Sequence, residues 1–383
     1  MFKSLRTLFR PELVLTRSSS SYVTRMRHLM KLKEDDGACL EALRSGHLLL
    51  YHRLAPLLQK APATASTPGL FQLPAINTSD FEGVLDKLGK SRALVNEAVL
   101  ITCTEQHEAQ FSLDVGVLDK SEVERLCGGA FIDLRKAFFL LRGPEAPLVA
   151  RGQALLRWHQ THGFCSASGH PTFRNQSGSQ RVCHSSGQTY YPKMAPVVIT
   201  LISDGTQCLL GRQATFPRGM YSALAGFCDM GETIEETLRR EVAEEVGLEL
   251  CVCVYNAVCV CVCVCVAGET IEETLRREVA EEVGLELDSW RVSGTQHWPF
   301  PQSSFMVACH ATVTPGNTQV SLNHEELEDA RWFSLQEIEE ALRLKKPPRN
   351  PEGETPTLWV PPSYAIAHQL VQEWVQQQRS AAR

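Results

Sequence analysis

The sequence predicts an α/β protein in which a mixed sheet is sandwiched between helices. Three observations carry that expectation. Short apolar runs with strand character precede position 226 and recur beyond position 290. Between them lies an acidic amphipathic helix with a marked start. A final helical pattern closes the chain after Pro361 and Pro362. Strands and helices mixed in this order favour layers around one sheet.

From the N-terminus, Met1–Met30 carries Lys3, Arg6, Arg10, Arg17, Arg25 and Arg27 against one acid, Glu12, and includes Ser18–Ser21. Basic, serine-rich and acid-poor composition over residues 1–28 reads as a mitochondrial transit peptide. Residues 30–148 form an N-terminal domain with a small-residue loop, Ala61–Gly69, and an apolar run, Phe131–Leu141. It holds no catalytic constellation, which leaves packing or a homodimer contact as its role. Residues 150–193 contain Cys165-x-x-Ser168 and Cys183-x-x-Ser186. Residues 194–377 form the catalytic domain. Its expected strands are Val197–Ile202, Cys208–Gly211 and Tyr221–Ala225, then Val292–Thr295, Phe305–Val313 and Arg331–Phe333. Leu344–Leu358 reads as a surface loop before the last helix.

Bulk properties narrow the partners. A net charge of −6 over 383 residues gives no basic footprint for DNA. Of 14 cysteines, six crowd into Cys251–Val266 and the others are scattered, as in a reduced intracellular enzyme.

The chemistry is concentrated in Gly226–Leu248, GFCDMGETIEETLRREVAEEVGL. Thr233 and Glu236 form a capping box, so a helix should begin at Ile234. Ile234, Leu238, Val242 and Val246 recur every four residues as its apolar stripe. At about 100° per residue, Glu241 and Glu245 fall on the edge of that stripe and Glu244 on the flank. Two glutamates four apart repel, and carboxylates beside a core face are costly to desolvate. A bound Mg²⁺ or Mn²⁺ removes both objections, because hard cations take carboxylate and phosphate oxygens together. The loop Gly226–Gly231 precedes the helix N-terminus, which favours anionic phosphate.

Gly231–Leu250 recurs without a change as Gly268–Leu287. Structural repeats diverge and rarely recur only once. The alternating Cys-Val run between the copies is what a TG dinucleotide repeat encodes, so residues 251–287 read as an aberrant insertion carrying a duplicated helix. The apolar stretch Leu250–Ala267 is long enough for a membrane span, but strict alternation favours strand, and no membrane partner is expected. The second copy keeps Arg277, Glu278, Glu281 and Glu282, but Cys263 stands where the loop glycine belongs. The first copy is therefore the expected active one.

The spacing of Gly226, Glu232 and Arg240-Glu241-Val242-Ala243-Glu244-Glu245-Val246-Gly247 is that of the Nudix box. Thr295–Ser303, TQHWPFPQS, resembles the SQPWPFPxS signature of the NADH pyrophosphatase branch of the Nudix hydrolases, with Thr295 and His297 departing from it. Ala154–His170, Tyr191–Pro196, Glu325–Phe333 and Pro361–Ala367 are similar to further segments of that branch. The resemblance implies a Nudix fold, an N-terminal Nudix-like domain and a zinc-ribbon segment, here degenerate. It implies cleavage of the pyrophosphate of NADH or NADPH to the reduced mononucleotide and an adenosine monophosphate. It also implies a metal held by Glu241, Glu245 and Glu326 with the Ala225 carbonyl, and Glu244 or Glu326 as general base. Arg240 is expected to hold the glutamates by ion pairing. Phe227, Gln296, Trp298, Phe300 and Ser303 are the expected substrate contacts, the aromatics by stacking and Gln296 and Ser303 by hydrogen bonds. Because Ser168 and Ser186 replace two cysteine ligands, no structural zinc is expected. Other readings are another diphosphate substrate (NAD, a dinucleoside polyphosphate or the NAD cap of an RNA) and an inactive binding protein disabled by the insertion.

Overall fold

The computed structural model describes residues 18–61, 71–141, 145–227, 242, 250–251, 290–300, 303–313, 318–320, 322, 324, 327–344, 348 and 356–381. The helix start at Ile234, residues Arg240, Glu241, Glu244, Glu245 and Glu326, the second box copy and most of the Cys-Val tract lie outside them. The chain divides into two compact units, Met1–Pro192 and Lys193–Arg383.

In the first unit, helices α1 (Ser18–Glu34) and α2 (Asp36–Ser45) lead into strands β1 (His47–His52), β2 (Ala55–Lys60) and β3 (Phe71–Gln72). After α3 (Thr78–Lys87) come β4 (Val99–Cys103), β5 (Ala109–Asp114), α4 (Lys120–Cys127), β6 (Ala130–Phe131), α5 (Leu134–Leu140) and α6 (Glu145–Thr161). The sheet order is β3-β2-β1-β5-β4, with β6 on β2. β1 runs parallel to β5, while β2 and β4 flank that pair in antiparallel sense. The β1–β2 hairpin turns through Arg53 and Leu54, both at positive φ, 51° and 67°. That backbone is costly for residues with a Cβ. The Asp114 carboxylate offsets the cost by accepting from the N–H groups of Arg53 (2.9 Å), Leu54 (3.1 Å) and Gly116 (2.9 Å). Buried Tyr51 donates its hydroxyl to the Val149 carbonyl of α6 (2.8 Å). A Cβ on Gly152 would meet that hydroxyl at 2.5 Å, so glycine is required there.

The unit ends in a three-stranded sheet, β7 (Phe173–Arg174), β8 (Arg181–Val182) and β9 (Thr189–Tyr190). It is tied to the end of α1, where the Lys33 carbonyl accepts from Asn175 Nδ2 at 3.0 Å and Ser177 Oγ at 3.3 Å. His159 joins it to α6. Its Nδ1 faces Arg181 Nη1 (3.1 Å), which can only donate, so Nε2 carries the proton and donates to the Gly178 carbonyl at 2.9 Å. Burial, aided by the charges of Arg174 and Arg181, holds this imidazole down at about 4. A histidine kept neutral in the fold stabilises fully above the unfolded value of about 6.5, and that contribution is lost as pH falls toward 4. The loss should reach about 3 kcal/mol. Urea midpoints of wild type and His159→Gln measured from pH 7.5 to 4.5 check this: the wild-type slope should be the steeper. Parallel slopes would refute the assignment.

In the second unit the sheet is built from β10 (Ala195–Ser203), β11 (Gln207–Arg212), β12 (Leu224–Phe227), β13 (Leu250–Cys251), β14 (Trp290–Trp298), β15 (Ser304–Val313) and β16 (Asp329–Ser334), followed by α7 (Leu335–Leu342) and α8 (Ile366–Ala381). β10 and β15 form a parallel central pair; β11 and β12 add to β10, and β14 to β15, all antiparallel. The first unit repeats this plan of a parallel pair with antiparallel flanks. α8 covers one face, where Ile366, Leu370, Val371 and Trp374 pack on Val197, Ile199, Leu201 and Ala308. The other face gathers Val198, Ile202, Leu209, Leu224, Val307 and Val242. Val242, the one described residue between 228 and 249, is helical and 1% exposed, so helical backbone packs on that face as α8 does on the other.

Two strands differ from the sequence expectation. Tyr221–Ala225 does not pair throughout: Ser222 makes an isolated bridge to Gly211, and the strand begins at Leu224. β14 is longer than Val292–Thr295 because it runs on to Trp298, where Pro299 removes the next N–H donor. The most informative pairing is at its start. Leu250 and Cys251 face Val313 and Thr312, and Trp290 faces Ala311. β13 and β14 are thus one strand with residues 252–289 set into it.

Candidate active site

Two of the candidates, Phe227 and Gln296, lie along one row of the second sheet. Phe227 pairs with Val197, Val197 with Met306, and Met306 with Gln296. Directly paired residues share a face, so Phe227 and Gln296 sit on the α8 side, separated by three strand spacings or about 14 Å. Phe227 is 52% exposed at the end of β12. Ala225, two residues earlier, pairs with Ile199 and packs against the same core.

Trp298 is half-buried against the α8 core and meets the Phe300 ring edge-on, 5.7 Å between centroids. Gln296 uses both ends of its amide on the start of α8. Its Nε2 donates to the Tyr364 carbonyl (2.7 Å) and its Oε1 accepts from the Ile366 N–H (2.8 Å). One N–H and one lone pair remain for another partner. Removing this clamp in Gln296→Ala should cost about 1–3 kcal/mol, read by urea unfolding. Unchanged stability would refute the clamp. Ser303 adopts φ 71°, and its hydroxyl pairs with His297 Nε2 at 2.7 Å. His297, one of the two residues that depart from the motif, thus closes the loop beginning at Trp298. Sequence reading missed this bond, for which the paired polar ends of an aromatic-proline loop were the available signal.

It also missed Arg212. That side chain is largely buried, pairs with Glu328 at 3.0 Å and donates to the carbonyls of Phe216 (3.0 Å) and Pro217 (2.6 Å). It ties the acidic Glu325–Asp329 stretch to β11. Leu327, next to Glu326, is buried in the same core as Val242.

The ribbon segment keeps its two knuckles. Gly169 N–H donates to the Cys165 carbonyl and Gly187 N–H to the Cys183 carbonyl, both at 2.8 Å, and both glycines sit at φ +70°. Cys165 Sγ lies 3.4 Å from Ser186 Oγ and 3.1 Å from the Tyr190 hydroxyl; Cys183 Sγ lies 3.4 Å from Ser168 Oγ. Hydrogen bonds with Ser168, Ser186 and Tyr190 draw the Cys165 thiol down to about 5. His184 stacks on Phe173 and His170 Nδ1 turns to the Ser168 carbonyl (3.1 Å). Among the described residues no three His, Cys, Asp or Glu side chains are grouped to hold a metal. Two thiols and two neutral hydroxyls do not fit a structural zinc, which takes four thiolate or imidazole donors.

The NUDIX domain matches residues 192–257 and 264–355, an NADH pyrophosphatase-like rudimentary NUDIX domain matches 45–158, and the NADH pyrophosphatase zinc ribbon domain matches 160–191. The chain belongs to the Nudix hydrolase family. It is 46% identical over 368 residues to NAD(P)H pyrophosphatase NUDT13, mitochondrial, of Homo sapiens, covering 94% of this chain and 92% of that protein. The Mus musculus protein of the same name is 45% identical over 366 residues, covering 93% and 92%. NAD-capped RNA hydrolase NUDT12 of Homo sapiens is 34% identical over 249 residues, covering 62% of this chain and 44% of that one.

Proposed function

We propose that this chain hydrolyses the pyrophosphate bond of NADH or NADPH, giving reduced nicotinamide mononucleotide and the adenosine half, which is AMP from NADH and the 2′-phosphorylated AMP from NADPH. The observation that carries the reading is Val242: helical, 1% exposed and packed on the sheet beside Leu224 and Leu327. The sequence spacing of a regular helix would turn Glu245 and Glu241 about 60° and 100° from Val242 on the same side. Their oxygens, with Glu326 and the Ala225 carbonyl, are the proposed holders of Mg²⁺ or Mn²⁺. That cation, when bound, offsets phosphate charge and acidifies water. Glu244 or Glu326 takes the proton of the attacking water, and Arg240 pairs with the glutamates. Trp298, Phe300 and Phe227 offer stacking surface, while Gln296 and Ser303 offer their remaining hydrogen-bonding capacity. The likeness to a protein named NAD(P)H pyrophosphatase over 94% of the chain supports the substrate. The box copy holding Val242 is the proposed active one, and no zinc is assigned to the ribbon.

Residues 1–28 are proposed to direct the chain to mitochondria. α1 runs through residue 28 and Met26 packs on its unit's core, so a cut that spares the helix falls before Ser18. No described helix is long and apolar enough to cross a membrane. The likeness to an NAD-capped RNA hydrolase supports a second reading, cleavage of an RNA's NAD cap at the same bond. The net charge of −6 favours the free dinucleotide. Purified protein with Mg²⁺ and either NADH or NAD-capped RNA separates the two: faster release of reduced mononucleotide from NADH is expected. Absence of both reactions in folded protein would sink the enzyme reading.

A further inference from the structure

The ribbon retains the shape of a metal knuckle pair while lacking half of its donors. What remains at the centre is one thiol from each knuckle. Cys165 and Cys183 are both free thiols, 2% and 0% exposed. Each is held toward the other knuckle: Cys165 by Ser186 at 3.4 Å, Cys183 by Ser168 at 3.4 Å. Ser168 and Ser186 thus stand between the two knuckles, each against the thiol of the other. Tyr190 and Gln188 of the second knuckle complete the enclosure, at 3.1 and 3.8 Å from Cys165 Sγ. The backbone turns that aim these side chains are closed by their own Gly169 and Gly187 hydrogen bonds, so the aim of each cysteine at the facing knuckle does not depend on a metal.

We propose that Cys165 and Cys183 form a reversible disulfide that clasps the two knuckles in place of zinc, with hydrogen peroxide as oxidant. The Cys165 sulfur attacks one peroxide oxygen; the O–O bond breaks, and the departing hydroxide takes the thiol proton and leaves as water. Cys165 is then a sulfenic acid. The Cys183 sulfur displaces its hydroxyl, which leaves with the Cys183 proton as a second water, and the S–S bond forms. Two thiols lose one electron each and peroxide gains two. A dithiol reductant reverses the bond by exchange. Peroxide is small enough to reach sulfurs lying just beneath exposed Ser186 and Gln188. Closing the segment between the knuckles restricts the unfolded chain, so the oxidised form is the more heat-resistant.

Trypsin separates the pair cleanly, because residues 158–174 and 182–193 each contain a single cysteine. The full chain is treated with dilute peroxide, alkylated under denaturing conditions, digested and analysed by mass spectrometry. The expected product is the two peptides joined, two hydrogens below their summed mass and separated by dithiothreitol. Its formation should raise the thermal midpoint of wild type and leave that of Cys183→Ser unmoved. In Cys183→Ser, Cys165 should instead be trapped as sulfenic acid by dimedone. Recovery of both peptides singly alkylated after peroxide would overturn the proposal. So would one equivalent of zinc in the purified protein, lost on chelation together with protection of both thiols. None of these readouts uses dinucleotide hydrolysis, so the result stands apart from the proposed activity.

Discussion

Glu241→Gln is expected to lower Mg²⁺-dependent NADH hydrolysis by roughly 10²–10³-fold, the range seen when one preorganised electrostatic contact to a transition state is removed. The amide keeps the shape of the side chain and loses its negative charge, so metal affinity should fall with turnover. Excess Mn²⁺ should restore part of the rate. Glu278→Gln, the same change in the second copy, should leave kcat and KM unchanged. The expected asymmetry rests on Val242 of the first copy, which is buried in one cluster with Val198, Leu224 and Leu327. If Glu278→Gln is the inactive variant and Glu241→Gln the active one, the assignment of the copies is reversed and the argument from Val242 fails. If neither variant loses activity, the acidic box is not the metal site.

The second large effect concerns residues 252–289. Deleting them joins Cys251 to Trp290, whose partners Thr312 and Ala311 are already adjacent on β15. The strand should close without change of register, since pairing fixes which side chains face the core. Tying down a loop of this length costs about 3 kcal/mol of chain entropy. The shortened chain should therefore melt several degrees higher while hydrolysing NADH at the wild-type rate. Alternating, uncharged, β-branched segments pair readily with copies of themselves. Light scattering on heating should accordingly fall in the deletion variant. A shortened chain that is insoluble or inactive would show that the inserted residues are part of the working fold.

The sheet of the second unit was legible because its strands are short apolar runs with turn residues between them, as at Val197–Ile202 and Phe305–Val313. Errors came where pairing depends on distant partners. Tyr221 and Ser222 have strand composition, but Gly211 and Trp359 dictate how their backbone runs. In the first unit, the β1–β2 turn contains neither glycine nor asparagine, and Asp114 enforces it from 61 residues away. The spacing of acids in the box pointed to metal chemistry because it repeats over a few residues of sequence and needs no distant partner to be read. Gln296 was legible as a candidate contact and not as a clamp, because its partners Tyr364 and Ile366 lie about 70 residues further along. The two knuckles show the opposite case: local turn hydrogen bonds preserve a shape after half its original donors have gone.

The parallel central pair of the second unit carries a consequence for synthesis. β10 must wait for β15, since Ala195 meets Ser304 and Ser203 meets Thr312 across more than a hundred intervening residues. At about 5–20 residues per second, a ribosome leaves the first strand without its neighbour for roughly 5–20 s. During that interval the cysteine-valine stretch emerges before any cover exists for it. The nascent chain is then most exposed to chaperones and to neighbouring polysomes.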